Sequence, residues 1–163
     1  MASRDGDRAV ALSRQLSLTH DELRRRLRDL KTGLGQRRHR PDDDRLLTHC
    51  LAFCAALTEH HEGEDAGLFD QLVRERPDLA PTIAKLVEDH GLISGLLTRV
   101  RELTARAETS RGPALEAIGR ELDGLAAIME SHFTYEERAI GSALDGLPPE
   151  TDRPWAVFER DAR

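Results

Sequence analysis

Four stretches of the chain set apolar residues three and four apart, and each stripe is interrupted by a histidine. That spacing is the signature of one helical face turned to a core. Leu16, His20, Leu23, Leu27 and Leu30 predict a first helix from about Asp7 to Leu30, ended by Gly33, Gly35 and Pro41. Leu46, Cys50, Phe53, Leu57, His60, Glu64, Leu68 and Leu72 predict a second from about Asp43 to Glu75, with Asp42 to Asp44 as capping carboxylates. Pro77 and Pro81 bracket a turn with Asp78 as a cap. A third helix then carries Ile83, Leu86, His90, Ile93, Leu97 and Val100 to about Ala107. After the breaker Thr109–Pro113, a fourth helix carries Leu115, Ile118, Leu122, Leu125, Met129, His132, Glu136 and Ile140 to about Leu144. Short connections imply neighbours that run in opposite directions, so the expected fold is all-α, an up-down-up-down antiparallel four-helix bundle over residues 1–145. Residues 146–163 read as an irregular tail, with Trp155 and Phe158 as its large apolar anchors.

Polar groups on a core face need partners, because an unpaired one loses water and gains nothing back, at a cost of about 2–7 kcal/mol. Position along a rod fixes height, at about 1.5 Å per residue. Counted from the turns, His20, His60, Glu64, His90, His132 and Glu136 fall in one slab of the core, within about two helical turns.

The second and fourth helices echo each other. His60-His-Glu-Gly-Glu64-Asp65 and His132-Phe-Thr-Tyr-Glu136-Glu137 both read His-x-x-x-Glu followed by a further acid. Residues four apart on a helix share a face and can share a cation or bridge two. Imidazole with carboxylate suits iron or manganese, and zinc also accepts it. The spacing departs from the Glu-x-x-His of ferritin-like bundles, which argues against that class. A metal-free bundle with a buried His–Glu hydrogen-bond network is the competing reading.

Composition changes the picture little. Of 163 residues 33 % are charged and only 4 % aromatic, which favours amphipathic helices over strands. The net charge of −6 speaks against nucleic-acid binding, and the run Arg37-Arg38-His39-Arg40 is answered by Asp42, Asp43 and Asp44. No apolar run approaches the ~20 residues that span a bilayer. The first residues lack the apolar stretch of a signal peptide, so a cytoplasmic protein that engages no membrane is expected. Cys50 and Cys54, one turn apart, read as reduced core thiols.

Taken together, His20-Asp-Glu-Leu-Arg, His60-x-x-x-Glu64-Asp65, Glu88-Asp89-His90 and His132-x-x-x-Glu136-Glu137 resemble the hemerythrin family, in its bacterial HHE cation-binding branch, over roughly residues 12–145. The resemblance implies an oxo- or hydroxo-bridged di-iron centre. His20 and His60 would serve one iron, His90 and His132 the other, and Glu64 and Glu136 would bridge. The chain departs from the family's oxygen carriers at Ser94, where they have a further histidine; His61 is the candidate substitute. Glu137 rivals Glu136 as the bridge, because the carriers space that pair one residue wider. Three uses of the centre follow as expectations. One is an oxidoreductase acting on dioxygen or hydrogen peroxide, which a shortage of histidines would favour. The others are a reversible binder or sensor of oxygen or nitric oxide, and a structural or stored metal. His39 and His49 lie away from the slab.

Overall fold

In the computed structural model the described residues, 11–37, 39 and 45–148, are helical almost throughout and contain no strand. The elements are α1 (Leu12–Arg37), α2 (Arg45–Gly63), α3 (Phe69–Glu75), α4 (Ala80–Ala107) and α5 (Pro113–Asp145). A wide π turn over Glu64–Leu68 joins α2 to α3 without a break in helical backbone, and a 3-10 turn at Pro77–Leu79 leads into α4. The chain therefore forms four long rods in a helical bundle. α1 packs on α2 and α5, and α4 packs on the same two.

Contacts between α1 and α5 pair low numbers with high ones. The Ser13 amide and hydroxyl donate to Asp145 at 3.0 and 2.7 Å. The Arg24 guanidinium donates to Glu137 at 2.7 Å, and the Lys31 ammonium lies 3.3 Å from Asp123.

α1 runs past Leu30, where the glycines were expected to end it. Gly33 and Gly35 lie inside the helix, and Leu34 between them is buried. A Cβ on Gly33 would stand 3.3 Å from the His49 ring, so this glycine lets α1 and α2 approach closely. The extension ends at Arg37, whose guanidinium donates to the carbonyls of Ala107 and Glu108 and satisfies the end of α4. Between α4 and α5 the backbone reverses at Gly112, with φ of +54°, and Pro113 opens the next helix. The expected start at Asp7, the caps Asp42 to Asp44, Pro41 and the tail anchors Trp155 and Phe158 lie outside the described residues.

The apolar stripes bury as two separate clusters. The larger joins Leu23–Leu34, Leu46–Leu57, Ile93–Ala107 and Leu115–Phe133; the smaller joins Leu16, Leu68–Leu72, Ile83, Leu86 and Ile140–Leu147. On α1, α2 and α4 the gap between the two clusters holds His20, His60 with His61, and His90; on α5 it holds Glu136, with His132 at its edge beside Phe133. Cys50 and Cys54 are free thiols in the larger cluster. Among the described residues no helix is long and apolar enough to cross a membrane.

Candidate metal centre

Each rod delivers its polar groups to this gap for a local reason. His20 follows Leu16 and precedes Leu23 on the buried face of α1, and His90 stands likewise between Leu86 and Ile93 on α4. α5 brings His132 and Glu136, one turn apart. α2 ends with His60 and His61 and hands over to the π turn at Glu64. Three successive four-residue steps, from His60 through Glu64 and Leu68 to Leu72, would carry a regular helix about 120° round its axis. The wide turn, in which the Phe69 amide donates to the Glu64 carbonyl, absorbs the excess, and all four side chains stay buried. Such π turns recur at functional sites.

Seven polar side chains meet in the gap, none more than 6 % exposed: His20, His60, His61, Glu64, His90, His132 and Glu136. Glu136 spans them. Its Oε1 lies 3.6 Å from His20 Nε2, and its Oε2 lies 3.3 Å from His132 Nε2 and 3.5 Å from His90 Nε2. Glu64 Oε1 lies between 3.0 Å from His60 Nε2 and 3.8 Å from His90 Nε2. His20 and His60 face each other with Nε2 atoms 3.2 Å apart. His61 stacks on His90 with ring centres 3.7 Å apart and stands edge-on to His132 at 5.2 Å. Ser94 is exposed on α4.

The outward ring nitrogens of three histidines lie near carboxylates, and that of His90 is hydrogen-bonded to one. His90 Nδ1 is 2.8 Å from Asp65, His20 Nδ1 is 3.5 Å from Glu137, and His132 Nδ1 is 3.8 Å from Asp89. Glu137 is only partly buried and also accepts from Arg24. Phe133 packs on His20 and Phe69 on His90, at ring distances of 4.7 and 5.5 Å.

So much buried polarity distorts titration. Burial, together with the neighbouring Glu136 carboxylate, holds the Glu64 carboxyl well above its ordinary range. Burial would raise Glu136 too, but contacts from Glu64, His132 and His90 outweigh it and hold Glu136 well below. The two acids thus share one proton, kept on Glu64. Burial and the nearby His20 push His60 down to about 3, and burial next to His90 pushes His61 lower still. For His90 burial works the same way, yet Glu136 and Asp65 overcome it and the ring is raised. Burial opposes ionisation of Glu137, but His20 and Arg24 draw it down to about 2.

Hydrogen bonding within the gap is incomplete. Both oxygens of Glu64 and of Glu136, Nε2 of His61, His90 and His132, and Nδ1 of His20 and His132 are buried without a hydrogen-bond partner. Each such group costs about 1–3 kcal/mol, and their clustering is what a cation site leaves when described by protein atoms alone. Three sets of donors fit one: His20, His60 and Glu136; His61, His90 and His132; and Glu64, His90 and Glu136, with the ligand atoms of each set within 4.8 Å of one another. Imidazoles mixed with carboxylates suit iron, manganese or zinc.

The structure thus brings together seven of the eight candidate residues and leaves Glu137 behind His20. His49 lies at the far end of α2 and His39 is exposed. Periodicity missed Phe69, Phe133 and the outward roles of Asp65 and Asp89. The available signal for those acids was adjacency, since Asp65 follows Glu64 and Asp89 precedes His90.

A family model described as the hemerythrin HHE cation binding domain matches residues 11–144. Comparison with curated proteins and with solved structures found no match.

Proposed function

The chain belongs to the hemerythrin HHE cation-binding family, and from that premise we propose that it holds two iron ions and acts as an oxidoreductase on dioxygen or hydrogen peroxide. In this reading His20 and His60 hold one ion, His61, His90 and His132 hold the other, and Glu64 and Glu136 span both. Residues 1–145 form the domain, with its rods up-down-up-down. The opposed order of the Ser13–Asp145, Arg24–Glu137 and Lys31–Asp123 contacts supports that direction for α1 and α5.

One observation carries the choice of turnover: the Asp65 carboxylate hydrogen-bonded behind His90 at 2.8 Å. A carboxylate at the outer nitrogen fixes the tautomer and makes the inner nitrogen a stronger donor. Such an imidazole at His90, with the two buried carboxylates Glu64 and Glu136, favours the more highly charged, oxidised ions and so the reduction of an oxidant. A histidine shortage no longer supplies the argument, because His61 makes up for Ser94 in this ligand set. Bound iron would supply the redox change; the protein supplies position and enclosure. Near neutral pH, uptake of metal should release the proton held on Glu64, since ligand carboxylates bind ionised. Phe133 and Phe69 cover faces of the His20 and His90 rings and help enclose the centre.

The same enclosure favours a second reading, reversible binding of oxygen or nitric oxide. The test is consumption. Iron-loaded protein should remove hydrogen peroxide, or couple oxygen uptake to oxidation of a small donor, and Glu64→Ala should slow this at least about 100-fold. A reversible optical change with oxygen and no consumption would replace turnover with binding.

The outer carboxylates have their own test. Asp65→Ala should weaken metal retention by about 10–100-fold against a competing chelator, the range for partners behind a ligating histidine. Helix content should not change, because Asp65 is 36 % exposed. Unchanged retention would remove Asp65 from the account.

A further inference from the structure

A cleft of about 330 Å³ between α4 and α5 runs from the surface to His132. Leu92, Ile93, Leu96 and Ile128 line its walls. Leu92 is 64 % exposed and Ile128 52 %. Single exposed apolar residues are ordinary, but two that line one cleft mark a binding surface. Its polar side is made by Lys85, Asp89, Ser131 and Tyr135. Lys85 and Asp89 pair at 3.3 Å, so their charges cancel and the lining asks for neither an anion nor a cation. What remains for a visitor is hydrogen bonding, to the Asp89 carboxylate and to the hydroxyls of Ser131 and Tyr135. The volume is at the small end of ligand pockets, about 300–1,000 Å³.

We propose that this cleft binds a small neutral molecule with an apolar body of single-ring size and one hydroxyl group, the phenol class, seated against the outer edge of His132. Its seat beside bound metal rests on the reading above; the binding itself does not. Asp89 borders both places: its oxygens lie 3.3 and 3.5 Å from the Lys85 ammonium in the cleft, and Oδ2 lies 3.8 Å from His132 Nδ1. An occupant that hydrogen-bonds Asp89 is therefore held next to the outer edge of His132.

The probe is 4-methylphenol, followed by its own proton NMR signals with the full chain free of metal. Saturable binding is expected, weakened at least tenfold by Leu92→Glu or Ile128→Glu. Leu51→Glu should leave it unchanged, since Leu51 is equally exposed but on α2. The same titration is then run with manganese-loaded and zinc-loaded protein, after elemental analysis of each. Manganese should speed relaxation of the bound probe several-fold over zinc. Binding indifferent to both cleft variants, or no saturable binding, overturns the proposal. So does a dimer seen by sedimentation and dispersed by Ile128→Glu, which would give this face to a second copy. Cleft-sensitive binding in a protein that takes up no metal supports the cleft and defeats the metal reading. Metal uptake with cleft-sensitive binding but no manganese effect overturns the seat at His132.

Discussion

Glu136→Ala should empty the centre. This side chain is wholly buried, and its two oxygens face different histidines, His20 on one side and His90 and His132 on the other. It belongs to two of the three candidate donor sets. In the proposed centre its removal would take an anionic donor from both ions at once and leave their positive charge under-compensated among buried groups. Loss of an outer partner typically costs about 10–100-fold in metal affinity, so loss of this carboxylate should cost more than about 100-fold for both ions. Glu136→Gln keeps the volume while removing the charge, and should also lower retention at least tenfold. Glu137→Ala is the informative contrast. Glu137 lies behind His20, against its outer nitrogen, Arg24 and Ser17, so its loss should stay within the range for outer partners. Metal content after dialysis against a graded series of chelators reads all three. Equal loss in the Glu136 and Glu137 variants would mean that the wrong acid has been placed between the ions.

Chelation should destabilise the protein strongly. Without cations, buried imidazole and carboxylate atoms face one another without hydrogen bonds. A ligand that binds only the folded state at about 1,000 times its Kd adds about 4 kcal/mol. At about 2–4 °C per kcal/mol for a chain of this size, the chelated protein should melt about 10–15 °C lower. In the metal-free form, His60 should also cost stability in acid. His60 is held at about 3 in the folded chain by burial and by His20, and would titrate near the ordinary histidine value of 6.5 once unfolded. Between those values the unfolded chain binds the proton and the folded chain does not, so this ring makes unfolding easier as pH falls from about 6.5 towards 3. His61 acts in the same direction. Glu64 and His90, which the fold holds above their ordinary range, act in the opposite direction, so the share of His60 is read by difference. In thermal melts of chelated protein from pH 8 to pH 4, Tm should fall more steeply below about pH 6.5 in the native chain than in His60→Gln; equal slopes would mean that this ring is not buried neutral.

The rods and the histidines on them were legible because periodicity and burial are the same fact seen twice. His20 lies between Leu16 and Leu23, and His90 between Leu86 and Ile93, so a polar residue inside an apolar stripe stands out. The π turn was not legible. His132, Glu136, Ile140 and Leu144 on α5 repeat the four-residue steps of His60, Glu64, Leu68 and Leu72, yet α5 stays a regular helix. It also buries Phe133 and Ala143, so its buried face is wider than the four-residue steps alone mark out. Glycines misled at the end of α1 for a similar reason. A local breaker yields when Leu34 can be buried and Gly33 gives close contact with α2. His61 was harder to place than His60 because adjacent helical residues point about 100° apart. α2 packs on both α1 and α4, so the corner it turns to the centre is wide enough for both rings, His60 towards His20 and His61 towards His90.

The most direct measurement is anomalous X-ray diffraction from crystals of iron-loaded protein, collected on both sides of the iron absorption edge. The account predicts two iron peaks per chain between the apolar clusters, one beside His20 and His60, the other beside His61, His90 and His132, with Glu64 and Glu136 between them. A single peak, peaks elsewhere on the chain, or those histidines turned away from the metal would contradict it.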